Sequence, residues 1–260
     1  MGARTGIDLF GGRHYHSPRR GGRVSQFASA LVAVRNTRRM ETTLHRQLKQ
    51  LYAGDAACEV RVDGYRIDAV ANGRLIEIQQ GSLSALRTKV SRLLERHEVL
   101  VVKPLFAHKT IIRLERRSQR EVSRRVSPAH DTVWDAFQDL VHFVDVFPHP
   151  RLTLEVVLTE VEEHRPANPR IGWRQRDRAA DRTLLSICGR HTFRTNADLL
   201  ALLPDTLPAE FTTALLAEVL ELPRWWAQKV AYCLRRTGAL ETTRRGRAGW
   251  VYRRPPCRAA

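Results

Sequence analysis

Two dipeptides, Asp63–Gly64 and Asn72–Gly73, constrain this chain more than any other feature, because each favours the positive backbone φ of a tight two-residue hairpin turn. They divide "CEVRVDGYRIDAVANGRLIEIQQ" into three short segments. In these, Val60 and Val62, Ile67 and Ala69, and Ile76 and Ile78 alternate with polar residues. A period of two is that of a strand with one buried face, so three consecutive strands are expected. The flanks have a helical period instead. "METTLHRQLKQLYAG" (40–54) sets Leu44, Leu48 and Leu51 on one face with Tyr52 adjoining, and Gly54 as a stop. "SLSALRTKVSRLLERH" (82–97) has Ser82 as an N-cap and Leu83, Leu86, Val90, Leu93 and Leu94 as its buried face. "EVLVVKPL" then reads as a strand covered on both faces, and "KTIIRLE" (109–115) as a further one. The order through residue 115 is α-β-β-β-α-β-β. The connection from the 75–79 strand through the helix to the 98–103 strand is expected to be a right-handed crossover between parallel strands.

Three polar groups interrupt the strands: Asp68, Glu77 and Gln79. Alternation sends Ile67 and Ala69 to the core and Asp68 away from it; likewise Ile76 and Ile78 point inward while Glu77 and Gln79 point away. Across the Asn72–Gly73 turn, Asp68 can then lie near Glu77 and Gln79. Two carboxylates so placed repel and raise each other's pKa unless a positive charge sits between them. Mg²⁺ meets that need with one or two carboxylates, and it can activate water and stabilise charge on a phosphodiester. A half-exposed sheet face with solvated Asp, Glu and Gln is the plainer account of the same spacing.

The helix with Glu41, the strand with Asp68, the strand Glu77-x-Gln79, and the following helix and buried strand together resemble the PD-(D/E)XK nuclease superfamily over residues 40–115. The resemblance implies a restriction-endonuclease-like α/β (α+β) fold, a mixed sheet flanked by helices. It implies Mg²⁺ or Mn²⁺ held by Asp68, Glu77 and the main-chain carbonyl of Ile78, with Glu41 as an accessory acid on the first helix. Gln79 stands where the family usually has a lysine that positions or activates the attacking water. Some members carry glutamine there and others move the lysine to the next helix, where Lys89 is the candidate. Taken singly, Glu41 also fits the helix dipole, Lys89 a solvated helix position and Asp63 turn chemistry.

The chain of 260 residues carries a net charge of +17, and all but one unit of it lies at the two ends. Residues 1–39 hold eight Arg and one Asp; residues 224–258 hold ten Lys/Arg and one Glu. Such segments attract polyanions, nucleic acid above all, although an Arg-rich proteome would also make basic surface common. "GGRHYHSPRRGGR" predicts a disordered N-terminal segment, and Met40, just before the first helix, is a candidate start of translation. The apolar run "VSQFASALVAV" is broken by Ser and Gln with no A-x-A site after it, which argues against export.

"NADLLALL", "AEFTTALLAEVL" and "PRWWAQKVAYCLRRTG" read as helices, and "ALETTRR" and "WVYRR" as strands joined around Gly246 and Gly249. The third helix has Trp226, Val230, Cys233 and Leu234 as its buried face. Together these resemble a winged helix-turn-helix. That resemblance implies DNA contacts from Arg224, Gln228, Lys229, Arg235 and Arg236 on the helix, and from Arg244, Arg245 and Arg247 at the wing tip. Winged helices also serve as protein-interaction modules, and Trp225–Trp226 would suit one.

The four cysteines are scattered without a C-x-x-C pair, which suits a reducing cytoplasm, and no apolar run spans a membrane. The ten histidines show no H-x-x-x-H or H-E-x-x-H pattern, and no phosphate-binding glycine motif occurs. The expected organisation is a basic segment (1–39), a nuclease-like core (40–127), a helix–strand extension or connector (128–180) and a winged-helix domain (181–260). The expected activity is metal-dependent endonucleolysis of double-stranded DNA, by a monomer or a homodimer. The alternatives are a non-catalytic DNA-binding or regulatory protein on a degenerate nuclease fold, and a protein-interaction adaptor.

Overall fold

Asp63 and Gly64 take φ values of 48° and 80°, and Asn72 and Gly73 take 52° and 73°. This is the backbone of a two-residue turn whose twist matches its flanking strands. The turns link β1 (Cys58–Val62), β2 (Tyr65–Ala71) and β3 (Arg74–Ile78) into an antiparallel meander. The structure, a computed structural model, describes residues 41–54, 56, 58–115, 118–167, 181–247 and 249–255. The expectations of N-terminal disorder and of a start at Met40 lie outside the described residues.

Helix α1 (Thr43–Ala53) starts at an N-cap, Thr42, whose hydroxyl accepts a hydrogen bond from His45 N at 3.3 Å. Glu41 therefore precedes the helix rather than lying on it. Leu44 and Leu48 are buried, but Leu51 is 50% exposed. The buried face is turned toward Lys49, which is drawn inward by ion pairs with Glu41 and Glu59. After β3, a 3₁₀ turn at Leu83–Leu86 leads into α2 (Arg87–Leu93), and all five apolar residues expected on this face are buried.

Residues 98–114 form one strand, β4 (Glu98–Leu114), where two were expected. Pro104 does not break it. Val102 O accepts from Gln79 N at 2.9 Å, so Pro104, two residues on, faces the same side, beyond the end of β3, where no N–H is required. The basic "break" after residue 115 contains β5 (Glu121–Val126), antiparallel to the far half of β4. A 3₁₀ turn at Val133–Asp135 leads into α3 (Ala136–Leu140), followed by β6 (Leu152–Pro166) and β7 (Asp181–Phe193).

These strands make one seven-stranded sheet in the order β1-β2-β3-β4-β6-β7, with β5 attached to β4. As expected, β3 and β4 are parallel; so are β4 and β6. One face packs on α1 through Leu44, Leu48, Ile76, Ile78, Leu100 and Val102. The other face carries α2, α3 and the C-terminal elements in a single cluster that includes Leu83, Val101, Phe137, Leu216, Val230 and Tyr252.

The C-terminal elements are α4 (Asn196–Leu200), β8 (Glu210–Thr212), α5 (Thr213–Val219), α6 (Arg224–Arg236), β9 (Glu241–Gly246) and β10 (Gly249–Arg253). Their strands form a separate three-stranded sheet, β8-β10-β9. Residues 181–193, expected to open this domain, instead complete the large sheet as β7, pairing with β6 from Leu154–Phe193 to His164–Asp181. Of the two readings of the segment from residue 128, extension or connector, its described part fits the extension, since it supplies β6 to that sheet. The result is a mixed α+β protein built on a large mixed sheet flanked by helices. No helix among the described residues is long and apolar enough to cross a membrane.

Candidate active site

The site forms where the β2–β3 ladder opens. Pairing runs from Ala71–Arg74 to Ala69–Ile76. One residue further, the Asp68 carboxylate, not a main-chain carbonyl, takes the next N–H: Ile78 N donates to Asp68 Oδ2 at 2.8 Å. On the other side of β2 the β1 partners are Cys58–Ala69 and Val60–Ile67, and the skipped residue, Glu59, has φ 58°. A non-glycine residue there costs about 1–2 kcal/mol. This distortion coincides with a change of face. Ile67 joins the cluster under α2 whereas Ala69 joins that under α1, so the two do not share the face that simple alternation predicts.

Asp68 faces His45 of α1, with Nε2 3.2 Å from Oδ1; the same nitrogen lies 3.8 Å from Glu41 Oε1. Glu41 pairs with Lys49 Nζ at 2.5 Å. Glu77, only 3% exposed, accepts from Lys89 Nζ of α2 at 2.5 Å, and the same ammonium donates to the main-chain carbonyl of Arg66. Lys89 thus ties β2, β3 and α2 together at the point where the ladder opens.

The two carboxylates are driven apart electrostatically. Burial alone would raise Asp68, but hydrogen bonds from His45 and Ile78 N and the charge of Lys89 hold it below its usual value. Burial pushes Glu77 up to about 7; Lys89 opposes the rise and the Asp68 charge adds to it. A pair of carboxyl groups with separated pKa values is a frequent mark of a chemical site, and also of a structural ion-pair network.

Four of the expected residues, Glu41, Asp68, Glu77 and Lys89, belong to this network, but Gln79 does not. Its side-chain Nε2 donates to Ser82 O at 2.7 Å, closing the loop after β3. The neighbouring Gln80 Nε2 reaches the α1 cap at Thr42 Oγ1, 2.9 Å away. Lys103 supports the same loop from below: it is buried, donates to Gly81 O at 2.6 Å and pairs with Asp139 of α3 at 2.6 Å. The sequence reasoning missed His45, Lys49 and Lys103. The first two were legible in principle, since Glu41, His45 and Lys49 recur at four-residue intervals beside the buried leucine row.

Among the described residues no group of three or more His, Cys, Asp or Glu side chains is placed to hold a metal ion. The donor chemistry at Asp68, Glu77 and the Ile78 carbonyl does suit a hard cation that takes two carboxylates and fills its shell with water and phosphate.

On the C-terminal elements, Arg224, Gln228 and Arg235 of α6 are exposed, as is Arg247 at the β9–β10 turn. Lys229 lies over the Trp225 ring, Arg235 over Tyr232 and Arg245 over Trp250, at 5.3, 6.0 and 5.8 Å from the centroids. Arg236 pairs with Asp145 at 2.6 Å and Arg244 with Glu210 at 3.3 Å.

The fold and site define a mixed α+β protein with one buried and one half-buried carboxylate at the fork of two strands. Residues 42–194, more than half of the chain, match the family described as Domain of unknown function (DUF8091), and the chain belongs to that family. The match runs from the α1 cap to just past β7, leaving α4 to β10 outside it. A relative described as "Uncharacterized protein" from Treponema pallidum (strain Nichols) is 29% identical over 177 residues, 66% of this chain and 69% of the relative. No solved structure matches significantly.

Proposed function

We propose that the chain is a metal-dependent DNA endonuclease of restriction-endonuclease-like fold, with α4 to β10 acting as a winged-helix module that holds duplex DNA. The observation that carries the proposal is that Asp68, which takes the Ile78 N–H at the opening of the β2–β3 ladder, and Glu77, bonded to Lys89 of the next helix, feel each other's charge. Asp68, Glu77 and the Ile78 carbonyl would hold Mg²⁺ or Mn²⁺, which when bound supplies charge neutralisation and a more acidic water. Lys89 takes the part of the lysine that Gln79 replaces, because its ammonium reaches Glu77 whereas the Gln79 amide closes a loop. His45 of α1 borders the same site and orients the Asp68 carboxylate, and Glu41, just before the helix, lies against the same imidazole. The order helix, strand, helix, helix, hairpin, with β8 paired to β10, supports the winged-helix assignment.

Incubation with supercoiled plasmid and Mg²⁺ or Mn²⁺, against an EDTA control, tests the proposal. Nicking is expected, with abolition by Asp68→Ala or Glu77→Ala and retention of DNA binding. Lys89→Ala is expected to lower the rate by roughly 10²–10⁴-fold and Gln79→Ala by far less. Full activity in the carboxylate variants would refute it. The alternative is a non-catalytic DNA-binding protein on the same scaffold. It is favoured by the turning of Gln79 toward Ser82 and by the imidazole and the ammonium already beside Asp68 and Glu77. It predicts retardation of the plasmid without nicking.

A further inference from the structure

Among the described residues every exposed aromatic side chain, Trp225, Tyr232 and Trp250, lies on the C-terminal elements. Each carries a cation over its ring, Lys229, Arg235 and Arg245 respectively. On α6 the sequence Trp225, Lys229, Tyr232, Arg236 follows the i, i+4, i+7, i+11 spacing of a single helical stripe, so aromatic and cationic groups alternate along one outward face. The opposite face, with Ala227, Val230, Ala231, Cys233 and Leu234, is buried.

The first ring of the stripe is braced. Trp226 donates its indole N–H to Trp134 O at 3.0 Å, and Trp225 stacks on Trp226 with centroids 5.7 Å apart and planes 20° from parallel. An exposed indole fixed by its neighbour is a preformed platform rather than a side chain left over from packing. Lys229, Arg235 and Arg245 have no acidic partner among the described residues, so their charge is open to an anion.

We infer that this face binds DNA where duplex gives way to unpaired bases, such as a single-stranded overhang or a fork, its rings taking the unpaired bases while the module holds the adjoining duplex. The inference rests on the DNA-binding part of the proposed function and not on its cleavage chemistry. Duplex DNA buries the flat faces of its bases in the stack and offers side chains only base edges in the grooves. Unpaired bases offer those faces, and aromatic rings alternating with cations stack on them while neutralising the phosphates. Along α6, Trp225 and Tyr232 are separated by about 10 Å of helix, roughly the span of three stacked nucleotides. A protein partner would meet no aliphatic anchor, since the exposed residues of α6 are cationic, aromatic or amide and include no acid.

The test uses the full chain in EDTA at about 0.15 M salt. Fluorescence anisotropy compares a blunt duplex, the same duplex with a single-stranded overhang, and the overhang strand alone. The overhang duplex is expected to bind about tenfold tighter than the blunt one, and Trp225 fluorescence to be quenched on binding. Trp225→Ala with Tyr232→Ala should erase the difference, while Trp225→Phe with Tyr232→Phe, which keeps both rings, should retain most of it. Equal affinity for blunt and overhang duplex, or a preference untouched by the alanine pair, overturns the inference and leaves DNA binding standing. Absence of binding to all three probes overturns both, and marks the stripe as a surface for something other than DNA.

Discussion

Glu77 shows how much one buried carboxyl can cost. Its ordinary value is 4.5, and burial raises it to about 7 despite the Lys89 ammonium. A carboxyl with a folded pKa above its unfolded one holds its proton more tightly in the folded state. Stability is therefore lost as pH rises through the interval from the unfolded value to the folded one, and the loss is complete above it. Glu77→Gln removes the ionisation and keeps an acceptor for Lys89. At pH 8, without divalent metal, it is expected to raise stability by roughly 1–3 kcal/mol, several degrees in Tm, and to have little effect at pH 5. An equal gain at both pH values in differential scanning calorimetry would show that the Glu77 charge is not what costs the fold. Asp68 has the opposite sign. Its folded pKa is depressed, so its contribution is present at neutral pH and disappears on acidification through that depressed value. Asp68 and Glu77 themselves were legible as a pair in the sequence, because one hairpin turn brings them together. Their division of labour was not, since it depends on His45 and Lys89, which approach from helices on opposite faces of the sheet.

At the scale of elements, the loop after β3 is held from three directions: by Gln79 on Ser82, by Gln80 on the α1 cap and by Lys103 on Gly81. Lys103 also bridges to Asp139, so the loop that follows Glu77 is tied to α3. Lys103→Met is expected to cost roughly 1–3 kcal/mol in urea denaturation, because it removes the partner of the half-buried Asp139 carboxylate and of the Gly81 carbonyl. A double-mutant cycle with Asp139→Leu should show coupling above about 1 kcal/mol; additive losses would show that the pair is not acting as a unit. The meander and the buried face of α2 were readable because turn preference and helical spacing are local properties. Leu51 was misread for the complementary reason. Helical spacing places it beside Leu44 and Leu48, but the ion pairs of Lys49 turn the helix, and nothing within α1 records Glu59.

At the scale of the molecule, the C-terminal elements are docked into the large sheet's own core. Trp226 donates to Trp134 O, Cys233 lies against Phe137 O at 3.8 Å, and one apolar cluster runs from Ile67 on β2 to Tyr252 on β10. A chain read as separate modules would be expected to melt in steps. With a shared core, residues 41–255 should unfold in a single calorimetric transition, with van't Hoff and calorimetric enthalpies in agreement. Two resolved transitions would show that the α3–α6 contact contributes little.

By itself the sequence determined what depends on neighbours along the chain: the two tight turns, the strand and helix periods, the Asp68–Glu77 pairing and the cationic helix near the C-terminus. Tertiary structure alone decided that β7 closes the large sheet, that Lys89 and not Gln79 meets Glu77, that His45 turns toward Asp68 and that Lys49 turns toward Glu59. The physical reason is range. Backbone φ preferences and side-chain periods act over a few residues, whereas convergence of polar groups depends on how separate elements bury their apolar faces and on where buried charges find partners.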